Sequence, residues 1–291
     1  MPEPTEFTVD ANGIPVVVRD YGGDGPALML LHGGGGHMDH WLPVVPYLAE
    51  EYRIVTPELR GHGRSGDGPI ALDGFLADLE VVRDHLGLND FAVVGHSLGG
   101  MLAAQWASTG SGIAAVVSVD GHRPVQTDAA HYHGLPDEVV AELLAALSAV
   151  FDAQASSLAD PVPAEIVAMV GDRGFVQRDG EWYSRFSLAD ATALRHQPWF
   201  VDSVPAFGRV KVPTRVLMAR QNPPGMPEEF VPLMDAFRAG LRDDLVAARQ
   251  TNPLLSAMEV DAGHDMVMAE PAAIAAGVSA FLRENGIGGD R

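Results

Sequence analysis

No cysteine occurs among the 291 residues, which excludes disulfides, thiolate nucleophiles and cysteine metal sites together. Lysine is almost missing too: Lys211 is the only one of 19 basic residues. It stands beside an expected strand start rather than in a pocket, so Schiff-base chemistry has no candidate amine. Basic charge is short overall, since 39 acidic residues bring the formal net charge to −20. Such a chain repels phosphate backbones and anionic lipid, so neither nucleic acid nor membrane is expected as a partner. No apolar run approaches the roughly 18 residues of a membrane span, and Met1 to Asp10 has neither a basic start nor an apolar core. A soluble, cytoplasmic protein is the expectation. Repeats and low-complexity tracts are also missing. The remaining partner is a small molecule, most simply a neutral or apolar one, with a homodimer as the candidate assembly.

What the chain does have is apolar residues, 47% of the total, enough for one sizeable core with one insertion. Phe7 and Val9, then Ile14, Val16 and Val18, alternate on either side of Asn12-Gly13, a pair suited to a tight hairpin turn. Ala27 to Leu31 and Ile113 to Val119 are continuously apolar, as parallel strands buried on both faces are. Leu72 to Leu86 repeats its apolar residues at helical spacing and stops at Gly87. Strand and helix go on alternating as far as Asp120-Gly121, the pattern of a parallel, doubly wound sheet. From His122 to about Val210 that rhythm breaks. Asp137 to Val150 predicts an amphipathic helix, Pro163 to Val170 a second, and aromatics cluster from Phe175 to Phe207. Strand signals resume at Thr214 to Ala219, a long helix is expected over Glu228 to Gln250, and a last strand and helix over Ala257 to Val260 and Pro271 to Arg283.

The chemistry concentrates in Val93-Val94-Gly95-His96-Ser97-Leu98-Gly99-Gly100. A β-forming run ends at Gly95 and a helical run starts at Leu98, so Ser97 has to turn the chain between them. The small flanks Gly95 and Gly99 permit the close approach that turn needs. Its hydroxyl is then presented at the strand's carboxyl end, with the Leu98 N–H at the start of the helix pointing to the same spot, where a negatively charged oxygen can be held. Alone, this spacing also fits an ordinary turn. Gly33 to Gly36 after one strand and Gly263-His264-Asp265 after another give it company.

With those three elements the chain resembles an α/β-hydrolase of the capped, epoxide-hydrolase and haloalkane-dehalogenase-like branch, over most of residues 6 to 121 and 211 to 284. The resemblance implies a mostly parallel, twisted eight-stranded sheet flanked by helices, with residues 1–121 and 211–291 as the core and 122–210 as an inserted helical cap. It implies that His32-Gly33-Gly34-Gly35-Gly36 completes an oxyanion hole, with the Gly34 N–H as second donor and Gly35 as the alternative. Glu58-Leu59-Arg60-Gly61-His62-Gly63-Arg64-Ser65 resembles a structural turn of the family with Glu58 where aspartate is usual; Arg60 and Ser65 are expected to bind backbone there. Trp182, Tyr183 and Trp199 are the cap residues expected to face the substrate, with Met38 and Met266 completing the set.

A serine hydroxyl needs a base, and the base needs a carboxylate. The resemblance places His264 as the base. In much of the family the acid follows the strand after the cap, where this chain has Asn222, an amide that carries no charge. A second family location is the end of the strand before the cap, where Asp120 stands. Asp120 is therefore the expected acid, with Glu228 and a neutral Asn222 as the alternatives. Ser97 in place of an aspartate nucleophile argues against dehalogenase and epoxide hydrolase activity. No metal site is expected, because His131-Tyr132-His133 and the pair His32 and His37 lack carboxylates at ligand spacing; no cofactor is expected either. The expected function is a serine hydrolase acting on a neutral or apolar ester or lactone. Thioester or carbon–carbon bond hydrolysis, acyl transfer, cofactor-free biosynthetic chemistry and a non-catalytic binding protein are the alternatives.

Overall fold

The computed structural model describes residues 3–110 and 112–288, so the terminal residues of the expected core segments, with Ser111, lie outside the described residues. The chain opens with a hairpin, β1 (Thr5–Ala11) and β2 (Ile14–Asp20). Its turn is Asn12-Gly13, both at positive φ (56° and 89°), as a two-residue hairpin demands. β3 (Ala27–Leu31), β4 (Arg53–Pro57), β5 (Phe91–His96) and β6 (Ile113–Val119) follow. A small hairpin, β7 (Phe175–Arg178) and β8 (Glu181–Ser184), precedes the last core strands, β9 (Thr214–Ala219) and β10 (Leu255–Val260).

The main sheet has eight strands in the order β1-β2-β4-β3-β5-β6-β9-β10. β2 runs against both its neighbours, and the pairs from β4 to β10 are parallel. Its central strands are apolar throughout because both faces are covered. Met29, Leu31 and Val93 pack with Phe75, Leu102 and Trp106 of the helices Leu72–His85 and Leu98–Ala107. Leu30, Val94 and Val117 point the other way, against Ile274, Val278 and Phe281 of the helix Pro271–Glu284.

Register decides what meets at the carboxyl ends. His96 pairs with Val119 and Val119 with Leu217, so Ser97 and Asp120 leave the sheet side by side. The Ser97 N–H donates to the Val119 carbonyl (2.9 Å) and the Asp120 N–H to the Leu217 carbonyl (2.7 Å).

Between β6 and β9, helices span Asp137–Ser156, Ala164–Val170, Leu188–Arg195, Pro198–Val201 and Val204–Arg209. The segment is not wholly helical, as the sequence reading had it, because β7 and β8 pair around Asp179-Gly180, again both at positive φ. That Asp-Gly between two short apolar-polar runs was a hairpin signal masked by the aromatic cluster around it. The expectation about apolar runs is also corrected. Helix and following turn, Asp137–Ala159, reach a mean hydropathy of 1.4 over a stretch long enough to cross a membrane by length and composition alone. Valine, leucine and phenylalanine supply most of that value. The helix's Leu147 packs with Phe237 and Met234, while Ser148, Phe151 and Asp152 face cavities beside Ser97.

An ion-pair cluster ties this segment to the sheet. Arg173, just before β7, is buried and reaches Glu58 (3.0 Å), Glu6 (2.8 Å) and Asp39 (3.3 Å); Arg19 pairs with the same Glu6 and Asp39. Glu58 is fully buried. Burial pushes its carboxyl above the ordinary range, although the Arg64 N–H and Arg173 work against that. In the same turn Ser65 binds backbone as expected, donating to the Glu58 carbonyl and accepting from the Val17 N–H (2.8 Å each). Arg60 departs from expectation: beyond one bond to the Pro69 carbonyl, its guanidinium forks onto the Asp78 carboxylate (2.8 Å twice). Removing the cation from a buried pair leaves an uncompensated charge. Arg173→Met is therefore expected to lower the unfolding free energy by about 3 kcal/mol, with Arg173→Met/Glu58→Gln regaining part of it, both read by urea titration. A single variant within about 0.5 kcal/mol of wild type would show that the cluster contributes nothing net.

Candidate active site

Ser97 sits at φ 51°, ψ −119°, between β5 and the helix Leu98–Ala107. Non-glycine residues rarely hold such a positive φ, and surrounding structure must enforce it. The flanking glycines show how. A Cβ on Gly95 would lie 2.1 Å from the Gly99 backbone, and one on Gly99 would lie 2.2 Å from the Leu31 carbonyl. Strand and helix meet closely enough here that only hydrogen fits.

The serine hydroxyl lies 3.1 Å from His264 Nε2, and His264 Nδ1 lies 2.7 Å from Asp120 Oδ2. His264 reaches this point from the loop after β10, and its backbone is pinned by His96, whose Nε2 donates to the His264 carbonyl (2.9 Å). Burial and the neighbouring His264 lower the His96 pKa to about 4, which keeps that ring neutral near pH 7.

Asp120 ends β6, at φ 49°. Its Oδ1 accepts from the Ala219 N–H (2.8 Å) and faces His122 Nε2 (3.1 Å). Burial on its own would raise this carboxyl. The bonds from His122 and His264 overcome it and hold the group well below the usual carboxylate range. Burial likewise works to lower His264, but the bond to Asp120 and its charge prevail, so the imidazole pKa rises above its ordinary value.

The two alternative acids stand elsewhere. Asn222 Oδ1 is taken by Arg238 (2.7 Å), and Glu228 begins an exposed turn, Glu228–Phe230.

Two cavities meet at Ser97. One, of about 280 Å³, runs along the Asp120 and His264 side past Met101, Phe151, Met234 and Phe237. The other, of about 560 Å³, lies on the side of Gly34, Gly35 and Leu98, and is closed by Phe186, Leu194 and Phe200. Ser97, Pro124, Gln126 and Phe200 border both. The glycine loop thus stands opposite His264 across the serine. Its turn is closed by the Gly36 N–H donating to the Gly33 carbonyl (3.1 Å).

The five expected substrate contacts are not where the sequence reading put them, for none of them lines either cavity. Trp199 packs on Phe75 and Phe200, because consecutive residues of the short helix Pro198–Val201 point about 100° apart and Phe200 takes the cavity side. Trp182 and Tyr183 belong to the β7–β8 hairpin, where the Trp182 carbonyl accepts from the Val162 N–H and Arg178 lies over the Tyr183 ring. Met38 and Met266 are wholly buried, each starting a helical turn that folds back on the sheet. Sequence reasoning missed His122, Phe151, Phe200 and Phe237 as cavity residues. Of these only His122 carried a local signal, its position two residues after a buried aspartate.

Residues 26–159 match a sequence family described as alpha/beta hydrolase fold. A non-heme haloperoxidase of Rhodococcus erythropolis is 36% identical over 141 residues, covering 46% of this chain and 50% of that protein. The acetyltransferase component of an acetoin cleaving system from Cupriavidus necator is 38% identical over 103 residues, 34% of this chain and 27% of that one. The chain thus spans half or less of the length of these relatives. Among solved structures, E-2-(acetamidomethylene)succinate hydrolase superposes with a TM-score of 0.66 at 20% identity, covering 97% of this chain and 100% of that one. The enol-lactonase of Burkholderia xenovorans LB400 gives 0.62 at 20% identity over 95% and 100%. At that identity the likeness speaks for the fold alone. With its mostly parallel eight-stranded sheet flanked by helices, the chain has the α/β-hydrolase fold.

Proposed function

We propose that the protein is a serine hydrolase acting on a neutral or apolar ester or lactone, with Ser97 as nucleophile, His264 as general base and Asp120 as the acid that orients it. One observation carries this reading: the unbroken contact from Ser97 Oγ through both nitrogens of His264 to Asp120, opening on two cavities. Serine attacks the carbonyl carbon while His264 takes its proton, and Asp120 stabilises the imidazolium that results. The oxyanion that forms is held by the N–H groups of Leu98 and Gly34, on the side away from His264. Collapse of the intermediate sends the proton from His264 to the departing alcohol, and water then repeats the sequence on the acyl-serine. No metal or cofactor enters these steps.

The segment 122–210 serves as a cap over the serine, and its Phe151, Phe186, Leu194 and Phe200 supply the apolar walls. A net charge of −20 favours an uncharged substrate over an anionic one and disfavours nucleic acid and anionic membrane as partners.

A fluorophosphonate probe is expected to label wild type at Ser97 and to leave Ser97→Ala unlabelled. Absence of labelling would point to a binding protein, and a panel of esters, lactones and thioesters would then separate the hydrolytic alternatives. Asp120→Asn should fold and lose kcat by ~10⁴-fold, the amide favouring the wrong imidazole tautomer, while Asn222→Ala costs little; the reverse ranking would move the acid to β9. Because His264 acts as a base only when neutral and its pKa is raised, kcat/KM should fall on the acid side with a midpoint above the ordinary 6.5. A midpoint below that value would contradict the hold of Asp120 on His264. Phe200→Ala should raise KM for bulky esters more than Trp182→Ala does, since only Phe200 borders the cavities. Equal effects would mean that the cavities are not the substrate site.

A further inference from the structure

His122 is buried, lines the smaller cavity and has no role in the steps above. Its ring is fixed on both edges. Nδ1 lies 2.8 Å from the Arg123 N–H, which donates to it, and Nε2 lies 3.1 Å from Asp120 Oδ1. The Arg123 carbonyl is also 3.1 Å from Nδ1. A proton on Nδ1 would nevertheless oppose that N–H, and in a neutral ring it would leave the bare Nε2 lone pair against a carboxylate. A neutral His122 therefore keeps its proton on Nε2 and donates it to Asp120. Phe237 stands beside the ring, with centroids 5.9 Å apart, and limits its rotation.

The Asp120 carboxylate thus spans two imidazoles, with Oδ1 toward His122 and Oδ2 toward His264. Were the Ala219 N–H the only donor on Oδ1, the carboxylate would keep freedom to swing about its Cβ–Cγ bond. We propose that His122 is a positioning residue for the reaction, donating through Nε2 to Asp120 Oδ1 so that Oδ2 is aimed at His264 and the carboxylate charge is divided between the two rings. This rests on the reading of Ser97, His264 and Asp120 as the reacting triad. The other groups that bear on these rings are Asp265 and His96 beside His264, and Arg123 and Arg238 on the cavity wall. The Arg123 guanidinium is held by Asp202 and Asp244, and that of Arg238 by Asp235 and Asn222, so neither pairs with His122 or His264.

His122→Phe keeps a ring and removes the donor, whereas His122→Gln returns an N–H near the place of Nε2. For the phenylalanine variant kcat is expected to fall roughly 10- to 100-fold, as for a catalytic group set slightly out of place. The acid limb of kcat/KM should move up by roughly half a pH unit, because a carboxylate without its Oδ1 donor holds the His264 imidazolium more tightly. The glutamine variant should recover most of the rate and return the limb toward wild type. A merely structural role would lower stability without moving the limb. A folded His122→Phe protein with an unmoved limb and an unchanged kcat overturns the inference and leaves the triad reading standing; a wild-type protein that neither labels with fluorophosphonate nor turns over overturns both. Should His122→Phe fail to fold, the ¹⁵N spectrum of the wild-type histidines decides: a protonated Nε2 on His122 supports the inference, and a bare one overturns it.

Discussion

A carboxylate taken out of water at the end of a buried strand has to be met by N–H groups, and much of this molecule is arranged to meet one. Asp120 draws its donors from the Ala219 backbone, from His122 and from His264. The backbone donor exists because β9 lies beside β6 in parallel register, and His264 arrives because β10 lies beside β9 and ends level with it. Ser97 is adjacent because β5 flanks β6 on the other side. Strand order, register and the polarity of one residue are thus a single constraint. Shifting any of these strands by one residue would turn side chains to the opposite face and leave a charge buried without partners.

Much of this was legible in the sequence, for reasons that differ from element to element. Continuous apolar runs such as Ala27 to Leu31 announce parallel strands, and Asn12-Gly13 announces its hairpin, because each depends on local composition. Ser97 and Asp120 could be picked out because each follows a strand directly, and His264 because it stands in the short glycine-containing loop after the last strand, so that the sheet carries all three to one end. The wall of the cavities was not legible. Which of Trp199 and Phe200 faces Ser97 depends on the rotation of a four-residue helix about its axis, and no periodicity survives over so short a stretch. The hairpin that carries Trp182 and Tyr183 was not legible because its strands are four residues each and its Asp-Gly turn lies in a stretch rich in aromatics. His122 could be read only once its distance to Asp120 was known.

The segment between β6 and β9 bears on the serine from two directions, and it is fastened at a distance from it. Arg173 anchors the hairpin side to Glu58 in the turn after β4. Helix Asp137–Ser156 rests on the long helix Val231–Thr251 through Leu147, Phe237 and Met234. Between these supports Phe200 separates the two cavities, so the width of each is set by how the helices of the segment are held rather than by the sheet.

Asn222, three residues past β9, is held by Arg238 at 2.7 Å. A carboxylate placed there by one substitution would be drawn to that guanidinium as an ion pair, away from the imidazole across the cavity. Under the proposed triad, an acid after β9 in place of Asp120 would therefore take at least two changes, one to supply the charge and one to release it from arginine.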